Sequence, residues 1–355
     1  MAAGTQGYAT EAPAYSAGWR GRQQNNSTTI YNNMPTHTLQ HHITTDPMKH
    51  IFVVNPKAGG IDRTQQVAEK VHAALADAEV YVTQAPCDAT RFAAERLRQS
   101  DGEPLRFYAC GGDGTLNEVA AGVAGSTAEV ACWPLGSGND YIKCWPDADF
   151  GSLEALVGGS VTPVDIMRVN NRYCLNVLNF GFEAEVCRTM QTVRRWPLVG
   201  GSMAYTTGIV HSLMHAMHTP CRISVDGEPW QQGDMLLGSS ASGQYVGGGY
   251  RCAPRAVVDD GWLEVLCVDS IHLPRFLNVI GYYRQGRHLD MPQLADIIHY
   301  RRGHRVCFGA DADFSVVVDG ELMRGQRFDV ECLPRALRFV VPASSHRTAR
   351  QNNIE

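Results

Sequence analysis

Short apolar runs alternate with segments of helical periodicity through the first half of the chain. The run His50–Asn55 stops at Pro56 and Gly59, which is typical of a buried strand and the turn after it. The residues that follow place apolar side chains three or four positions apart, as on one face of a helix. Repetition of this pattern predicts strands at residues 50–55, 80–83, 105–110 and 129–135 and helices at 67–78, 89–97 and 116–123. Strands and helices that alternate in this way form an α/β domain around a parallel sheet.

After about Pro163 the pattern changes to apolar strands that end at turn-forming pairs. Asn170-Asn171, Asp226-Gly227 and Asp319-Gly320 each follow such a run, as expected of hairpin turns. Strands are predicted at residues 164–169, 173–178, 221–225, 234–238, 262–268 and 314–318, with two helices at 202–218 and 274–284. The second half is therefore expected to be mainly antiparallel.

These changes of pattern divide the chain into four predicted segments. Residues 1–48 are rich in small and amide side chains and carry few charges, which is typical of a disordered extension. Residues 49–162 form the α/β domain and residues 163–325 a β-rich sandwich domain, while residues 326–355 return to the first domain before a disordered tail. The expected fold class is α/β with two domains.

Composition narrows the class of protein. The 355 residues contain 31 Lys and Arg against 36 Asp and Glu, so the net charge of −5 provides no basic field that would hold a nucleic acid. Eleven cysteines without a C-x-x-C pair indicate neither a disulfide framework nor a zinc ribbon, and they suit a reducing compartment. No run approaches about 18 uncharged apolar residues, and no secretory signal pattern is present. A cytoplasmic protein is expected.

The most informative motif is Gly111-Gly112-Asp113-Gly114-Thr115-Leu116-Asn117-Glu118, between a predicted buried strand and a predicted helix. Glycines let main-chain N–H groups approach an anion, and the first turn of a helix adds unpaired donors and a positive dipole end. Asp113 would repel a triphosphate unless a divalent cation lay between them. The motif predicts a phosphate site that uses magnesium, although an ordinary strand-to-helix turn can have a similar sequence.

Three more predicted strand ends carry residues suited to a nucleotide. The segment Pro134–Asp140 (PLGSGND) follows the fourth strand, Asn55–Gly60 (NPKAGG) follows the first, and Thr83 follows the second. The carboxyl ends of parallel strands meet at one edge of a sheet, where open α/β sheets bind their ligands. We expect these loops to share one crevice.

Together these motifs resemble the diacylglycerol kinase catalytic-domain family, in particular its soluble bacterial lipid kinases. The resemblance covers residues 51–341 and includes the segments Asn179–Phe182, Ala253–Leu263 and Asp319–Glu321. GGDGT alone is also similar to NAD kinases and phosphofructokinases, so the specificity lies in the whole set. The resemblance implies an NAD kinase/diacylglycerol kinase-like fold, with a nucleotide on the first domain and a lipid substrate on the second.

The same resemblance implies that the γ-phosphoryl group of ATP is transferred to a lipid hydroxyl. The implied nucleotide contacts are Asn55, Thr83, Gly111, Gly112, Asp113, Gly114, Thr115, Leu116, Asn117, Ser137 and Asp140. Ser137 stands where the soluble bacterial pattern usually has Thr, and either hydroxyl can bond a phosphate.

Two magnesium sites are also implied by the resemblance. Asp113, Asp140 and Asp165 match acidic positions that form a water-linked network around the nucleotide-bound ion. Val257, Asp260 and Trp262 match a structural magnesium site, at which Asp260 would offer its carboxylate and the other two their main-chain carbonyls. The implied cofactors are therefore ATP and Mg²⁺.

For catalysis, the resemblance implies a proton acceptor in the Asp319–Glu321 segment, with Asp319 slightly favoured and Glu321 as the close alternative. Phosphoryl transfer needs a carboxylate oriented to take the proton of the attacking hydroxyl. Asp226–Glu228 repeats the same three residues after an apolar strand, and Asp-Gly is also a common hairpin turn. Only the order of motifs in the family selects Asp319–Glu321.

The expected partner is a lipid at the inner surface of a membrane, with peripheral contact and a homodimer as further expectations. Two alternatives stay open. One is an NAD kinase-like phosphotransferase acting on a soluble substrate, which the complete segments 134–140 and 253–263 disfavour. The other is a lipid- or nucleotide-binding regulator without turnover, which the presence of Asp113, Asp319 and Glu321 disfavours.

Overall fold

The computed structural model describes residues 48–193 and 218–343. Three sequence predictions fall wholly or largely outside these ranges: the disordered extension, the helix at 202–218 and the disordered tail. Within the described residues the chain forms strands and helices in an order that changes at about residue 160.

Thirteen strands are found in the described part of the chain. They are β1 (Lys49–Val54), β2 (Glu79–Val82), β3 (Leu105–Gly111), β4 (Glu129–Pro134), β5 (Ser160–Val169), β6 (Arg172–Cys174), β7 (Val177–Gly181), β8 (Thr219–Val225), β9 (Glu228–Ala241), β10 (Leu263–Asp269), β11 (Ile298–Gly303), β12 (Arg305–Val318) and β13 (Glu321–Val341). The α-helices are α1 (Thr64–Ala74), α2 (Asp88–Arg98), α3 (Asp113–Val123), α4 (Leu153–Val157), α5 (Phe182–Val193) and α6 (Leu273–Gln285). Short 3₁₀ turns occupy Ala58–Gly60, Tyr141–Cys144, His288–Asp290 and Pro292–Leu294.

The first part of the chain is a parallel sheet in the order β2-β1-β3-β4. All seven residues of β3 are buried, as expected of a central parallel strand with both faces covered. Val67 and Val71 of α1 and Leu116 and Val119 of α3 pack into the same core. Parallel strands place their carboxyl ends at one edge, and all the predicted nucleotide loops of this domain follow those ends.

The second part is antiparallel and β-rich, in the order β11-β10-β9-β7-β12-β13, with β8 paired to both β9 and β12. Its strands bury one face in a sandwich core, where Phe180 packs edge-on against Phe308 and Phe314. The opposite face of β7, β9 and β10 packs against α5 and α6, where Phe182 contacts Phe276. The expected two-domain α/β fold with a β-rich second domain is confirmed.

Strand β13 connects the two parts of the sheet. Its first half pairs antiparallel with β12, and near its end Arg338 and Phe339 pair in parallel with Glu129 and Val130 of β4. Arg338 also reaches the Glu129 carboxylate at 3.2 Å. The predicted boundary between residues 325 and 326 lies inside this strand.

The structure differs from the sequence expectations in two places that matter for the site. The apolar run 173–178 is not one strand, because Leu175 and Asn176 interrupt it between β6 and β7. Strands β11 and β13 lack a continuous apolar run and were not predicted. In the described part of the chain, none of the helices combines the length and the hydropathy needed to span a bilayer.

Candidate active site

The glycine-rich turn between β3 and α3 is packed too closely for any side chain at Gly111. A Cβ on Gly111 would overlap the hydroxyl of Thr115, one turn along α3. Gly112 is the extended residue before the helix, and the main chain then enters α3 at Asp113. The local sequence thus produces the predicted geometry, a buried strand followed at once by the exposed first turn of a helix.

The loop after β4 lies directly against this turn. The N–H groups of Leu135 and Gly136 donate to the carbonyl of Gly111 at 2.8 and 3.1 Å. A Cβ on Gly136 would overlap the Cα of Gly112, so the two main chains touch. The two predicted phosphate loops therefore form one surface, and Ser137 stands exposed at the tip of the second.

The loop after β1 completes the surface. A Cβ on Gly59 would lie 2.6 Å from the carbonyl oxygen of Leu135, and the Asn55 amide donates to the Thr115 hydroxyl at 3.1 Å. Thr83 follows β2 and bonds the main chain of Val54 through both its N–H and its hydroxyl. The structure thus brings Asn55 and the loops after β1, β3 and β4 together, with Thr83 one strand away.

Asp113 and Asp140 form a pair of carboxylates at this surface. Asp113 accepts the N–H of Asp140 at 2.6 Å and that of Tyr141 at 3.2 Å. Asp140 is buried, and it accepts Lys143 Nζ at 2.5 Å on one oxygen and the N–H of Gly248 at 2.8 Å on the other. Burial, together with the negative charge of Asp140, raises the pKa of Asp113.

These two carboxylates fit a magnesium ion that is carried by a nucleotide. Magnesium is usually held by one or two carboxylates together with substrate phosphates and waters. A Cβ added to Gly138 would lie 2.9 Å from Oδ2 of Asp113 and 3.5 Å from Oδ2 of Asp140, so both oxygens line one small space. Among the described residues, no group of three or more His, Cys, Asp or Glu could hold a metal alone. The donor set is therefore incomplete until phosphate oxygens are added.

Asp165 has different neighbours from the other two predicted members of the magnesium network. Its buried carboxylate accepts the N–H groups of Gly261 at 2.7 Å and Arg335 at 2.8 Å. Burial raises its pKa. Asp165 thus joins β5 to the 259–262 loop and to β13. Its described contacts include neither Asp113 nor Asp140.

The predicted structural magnesium site does not fit the residues present. Asp260 faces the guanidinium of Arg302 on one oxygen and accepts the N–H of Trp262 at 3.1 Å on the other. The carboxylate expected to bind a metal is therefore already paired with a cation of the chain. Val257 and Trp262 are both partly exposed next to it.

Asp319 lies at the turn between β12 and β13, where its carboxylate accepts three consecutive main-chain N–H groups. The distances are 2.6 Å to Leu175, 3.1 Å to Asn176 and 3.0 Å to Val177. These three residues span the interruption between β6 and β7. Burial, partly opposed by these hydrogen bonds, raises the pKa of Asp319 to about 6.

Glu321 stands two residues further along in a more open position. Its side chain is 38% exposed and pairs with Arg172 at 2.8 Å. Burial, with a smaller contribution from the charge of Glu321, raises the pKa of Glu118 on α3. The charge of Glu321 therefore reaches the helix that begins with the glycine-rich turn, although 203 positions separate Glu118 from Glu321 in the sequence.

The second Asp-Gly-Glu triplet is in a different place. Asp226 accepts the N–H groups of His304 at 2.9 Å and Arg305 at 2.8 Å, so its carboxylate holds the turn between β11 and β12. Its described hydrogen bonds involve none of the glycine-rich loops. The structure therefore separates two triplets that are identical in sequence.

Sequence reasoning missed Lys143, Arg172 and Gly248. The i, i+3 spacing of Asp140 and Lys143 was a usable signal for an ion pair. Arg172 and Gly248 reach the site only through tertiary contacts, so no local pattern marks them.

Comparisons with known proteins agree with this arrangement. The family model for the diacylglycerol kinase catalytic domain matches residues 49–169, and the model for the YegS C-terminal NAD kinase beta sandwich-like domain matches residues 176–341. A Citrobacter koseri protein named "Probable lipid kinase YegS-like" is 30% identical over 276 residues, which is 74% of this chain and 86% of the relative. A Serratia proteamaculans protein of the same name is 28% identical over 319 residues, or 83% and 95% of the two chains.

A solved structure described as a diacylglycerol kinase from Bacillus anthracis has the same fold, with a TM-score of 0.60 at 20% identity. The match covers 82% of this chain and 96% of that one. Both halves of the chain thus match domains of one family, and the chain belongs to the diacylglycerol kinase catalytic-domain family, among relatives named as probable lipid kinases of the YegS type.

Proposed function

We propose that the chain transfers the γ-phosphoryl group of ATP to the hydroxyl of a lipid such as diacylglycerol, with Glu321 as the proton acceptor. The observation that carries the proposal is the approach of the Asp319–Glu321 turn to Asn117 and Glu118 of the glycine-rich helix. A general base must lie close to the phosphate site, because it takes the proton of the hydroxyl that attacks the γ-phosphorus. The lipid class is supported by the names of the relatives and by the diacylglycerol kinase catalytic-domain model that matches residues 49–169.

The nucleotide would lie on the surface made by the loops after β1, β3 and β4. Main-chain N–H groups at the start of α3, with the positive end of its dipole, suit the phosphates. Asn55 and Thr115 are tied together behind the turn and hold its shape. Ser137 is exposed at the rim and can donate its hydroxyl.

Asp113 and Asp140 would hold the magnesium that accompanies the nucleotide. That ion neutralises charge on the triphosphate, which is its ordinary contribution to phosphoryl transfer. Lys143 balances the charge of Asp140 until the ion is present. The pKa of Asp113 is raised by burial and by the negative charge of Asp140, which Lys143 opposes only in part.

Glu321 suits the role of base better than Asp319, which the sequence favoured slightly. Three N–H donors already occupy the oxygens of Asp319 and orient it towards the main chain. Glu321 has one ionic partner and an exposed oxygen that a substrate hydroxyl can approach. Asp319 is then a positioning residue that holds the turn from which Glu321 projects.

In the proposed reaction the substrate oxygen bonds to the γ-phosphorus while the bond from that phosphorus to the bridging oxygen breaks. ADP leaves with the electron pair of the broken bond. The hydroxyl proton passes to the carboxylate of Glu321 and then to water. The products are a lipid phosphomonoester, ADP and one proton.

The test is phosphorylation with ATP labelled at the γ-phosphate, in magnesium buffer, with mixed micelles of detergent and diacylglycerol. We expect chloroform-soluble label that needs both the lipid and the metal. A parallel reaction with NAD in place of lipid should leave label only in ATP and inorganic phosphate. Labelled NADP with unlabelled lipid would overturn the proposal in favour of a soluble substrate. Absence of any acceptor labelling across glycerolipids, sphingoid bases and polyprenols would overturn it in favour of a binding protein.

A further inference from the structure

The loop from Asp259 to Trp262 carries a carboxylate whose two oxygens both have partners within the chain. Oδ1 of Asp260 accepts the N–H of Trp262 at 3.1 Å, and Oδ2 pairs with the guanidinium of Arg302. This is the carboxylate that the family resemblance assigns to a structural magnesium ion. The guanidinium of Arg302 thus supplies the positive charge at the position where the magnesium ion was expected.

Arg302 is held in this position from three sides. It lies on β11 directly across from Glu264 of β10, and its Nε lies 2.9 Å from Oε1 of Glu264. Glu264 is buried, with 3% of its surface exposed, so removing its cationic partner would leave a buried carboxylate unpaired. The Arg302 guanidinium also stacks 5.4 Å from the ring centroid of Trp262. The side chain is thus fixed by two carboxylates and an indole ring.

The 259–262 loop in turn holds the junction between the two domains. Gly261 donates its N–H to Asp165 at 2.7 Å, and the carbonyl of Val258 accepts the N–H of Asp165 at 2.6 Å. The other oxygen of Asp165 accepts the N–H of Arg335 at 2.8 Å, on the strand that joins both parts of the sheet. Asp260 thus belongs to the loop that bonds Asp165 where the ladder between β5 and β13 is irregular, between Leu333 and Leu337.

We propose that Arg302 replaces a structural metal ion in this chain, so that the loop and the domain junction are stabilised without one. A magnesium ion at Asp260 would have to displace a guanidinium that the buried Glu264 also holds, because two cations at one carboxylate repel each other. Lys143 beside Asp140 has no such second carboxylate in the described part of the chain, so its ammonium can turn away when an ion binds. Displacement of Arg302 would also leave the buried carboxylate of Glu264 without its cation. The proposal concerns folding and metal binding, so it does not depend on the proposed enzyme activity.

The first experiment is thermal unfolding of the nucleotide-free full chain in EDTA, in MgCl₂ and in CaCl₂. We compare the unaltered chain with Arg302→Gln, and we use Arg301→Gln as the matched control. Arg301 is the neighbouring residue of the same strand, and its side chain points to the other face of the sheet. The unaltered chain and R301Q should unfold at the same temperature in all three buffers.

R302Q should unfold several degrees lower in EDTA, because Asp260 and Glu264 lose their cation. Magnesium or calcium should then recover part of the loss, since a ligand that binds only the folded state raises its stability. If R302Q behaves like R301Q in every buffer, the proposal is wrong. It is also wrong if a divalent cation raises the midpoint of the unaltered chain and Asp260→Asn removes that rise. A rise that D260N retains places the ion away from Asp260 and agrees with the proposal.

Terbium luminescence provides a second readout, and its comparison of the unaltered chain with Trp262→Phe does not depend on the stability of R302Q. Terbium binds oxygen ligands as calcium does, and an indole beside the ion sensitises its emission. Trp262 supplies the indole at this loop, so the emission that Trp262→Phe removes comes from terbium bound at Asp260. We expect equal emission from the unaltered chain and W262F, and emission gained in R302Q that is lost in R302Q/W262F. Emission from the unaltered chain that W262F abolishes would place a metal at Asp260 and overturn the proposal.

Discussion

Asn117 and Asp319 meet at one main-chain N–H group, that of Leu175. Oδ1 of Asn117 lies 3.3 Å from this nitrogen and Oδ2 of Asp319 lies 2.6 Å from it. Asn117 belongs to the glycine-rich helix and Asp319 to the turn that carries Glu321. The proposed phosphate site and the proposed base are therefore positioned against the same atom, and fixed relative position is a main source of rate in phosphoryl transfer.

Glu321→Gln should lower kcat by about 10²- to 10⁴-fold, the usual contribution of a general base, with little change in KM for ATP. The matched control is Glu228→Gln, since Glu228 ends the identical triplet at the β8–β9 turn. It should keep the activity of the unaltered chain. Steady-state kinetics with labelled ATP measures both variants. Equal activity of E321Q and the unaltered chain would remove Glu321 from the reaction.

Asp319→Asn should reduce both activity and stability. The amide keeps one acceptor oxygen but turns an NH₂ group towards N–H donors, and a buried unsatisfied donor costs about 1–3 kcal/mol. Urea unfolding should show this loss for D319N and not for E321Q, whose side chain is partly exposed. If D319N is as stable as the unaltered chain and E321Q is not, the roles of the two residues are exchanged.

Asp113→Asn should abolish lipid phosphorylation and weaken magnesium-dependent ATP binding while the chain still folds. Removing the charge also removes repulsion with Asp140, so the free energy of unfolding should not fall. Asp147→Asn serves as the control because Asp147 is exposed close to the same loop. Isothermal titration with ATP, with and without magnesium, measures the effect. Unchanged magnesium dependence in D113N would contradict the assignment.

Gly111→Ala should destabilise the fold by about 1–3 kcal/mol, because its Cβ would overlap the Thr115 side chain. Gly114→Ala is the contrast, since a Cβ there meets nothing within 4 Å and lies in the first turn of α3. We expect it to be neutral or to stabilise by up to about 1 kcal/mol. Urea unfolding of the two variants tests the difference, and equal losses would show that the overlap with Thr115 is not what makes Gly111 necessary.

Glu183 should make the stability of the chain depend on pH. Burial raises its pKa to about 7, its Oε1 accepts the Tyr283 hydroxyl at 3.0 Å, and its Oε2 is buried with no hydrogen-bond partner among the residues that the structure describes. A raised carboxyl pKa means that the folded state holds a proton the unfolded state has released, so this contribution is largest at low pH. It is lost as pH rises from the ordinary glutamate range to about 7.

Glu183→Gln should remove that slope. The difference in unfolding free energy between the unaltered chain and E183Q should change by up to about 1.4 kcal/mol per pH unit across this window and level off above it. Urea unfolding at a series of pH values gives the difference directly. A difference that does not vary with pH would show that Glu183 ionises at its ordinary pKa.

Local pattern was sufficient for the elements that carry the nucleotide loops. Apart from Arg106, strand β3 is an apolar run, and the glycines after it admit only a tight entry into α3, so both features are encoded within a few residues. Strands β1 and β4 are also encoded by short apolar runs. The expectation that their loops meet at one edge of the sheet therefore follows from the sequence as well. Strands β11 and β13 were missed because charged residues and a Gly interrupt their alternation, and β13 also pairs with β4 and β5, which lie far along the chain.

The sequence by itself determined the family, the two-domain α/β fold and the glycine-rich loops. The order of motifs selected Asp319 over Asp226, and the tertiary structure supplied the physical difference, because the two carboxylates accept different main-chain N–H groups. Only the tertiary structure paired Asp260 with Arg302 and broke the run 173–178 at Leu175. Apolar spacing and turn residues act over a few positions, whereas the partners of these carboxylates are chosen by packing between segments that are 42 residues apart for Asp260 and Arg302 and 144 for Asp319 and Leu175.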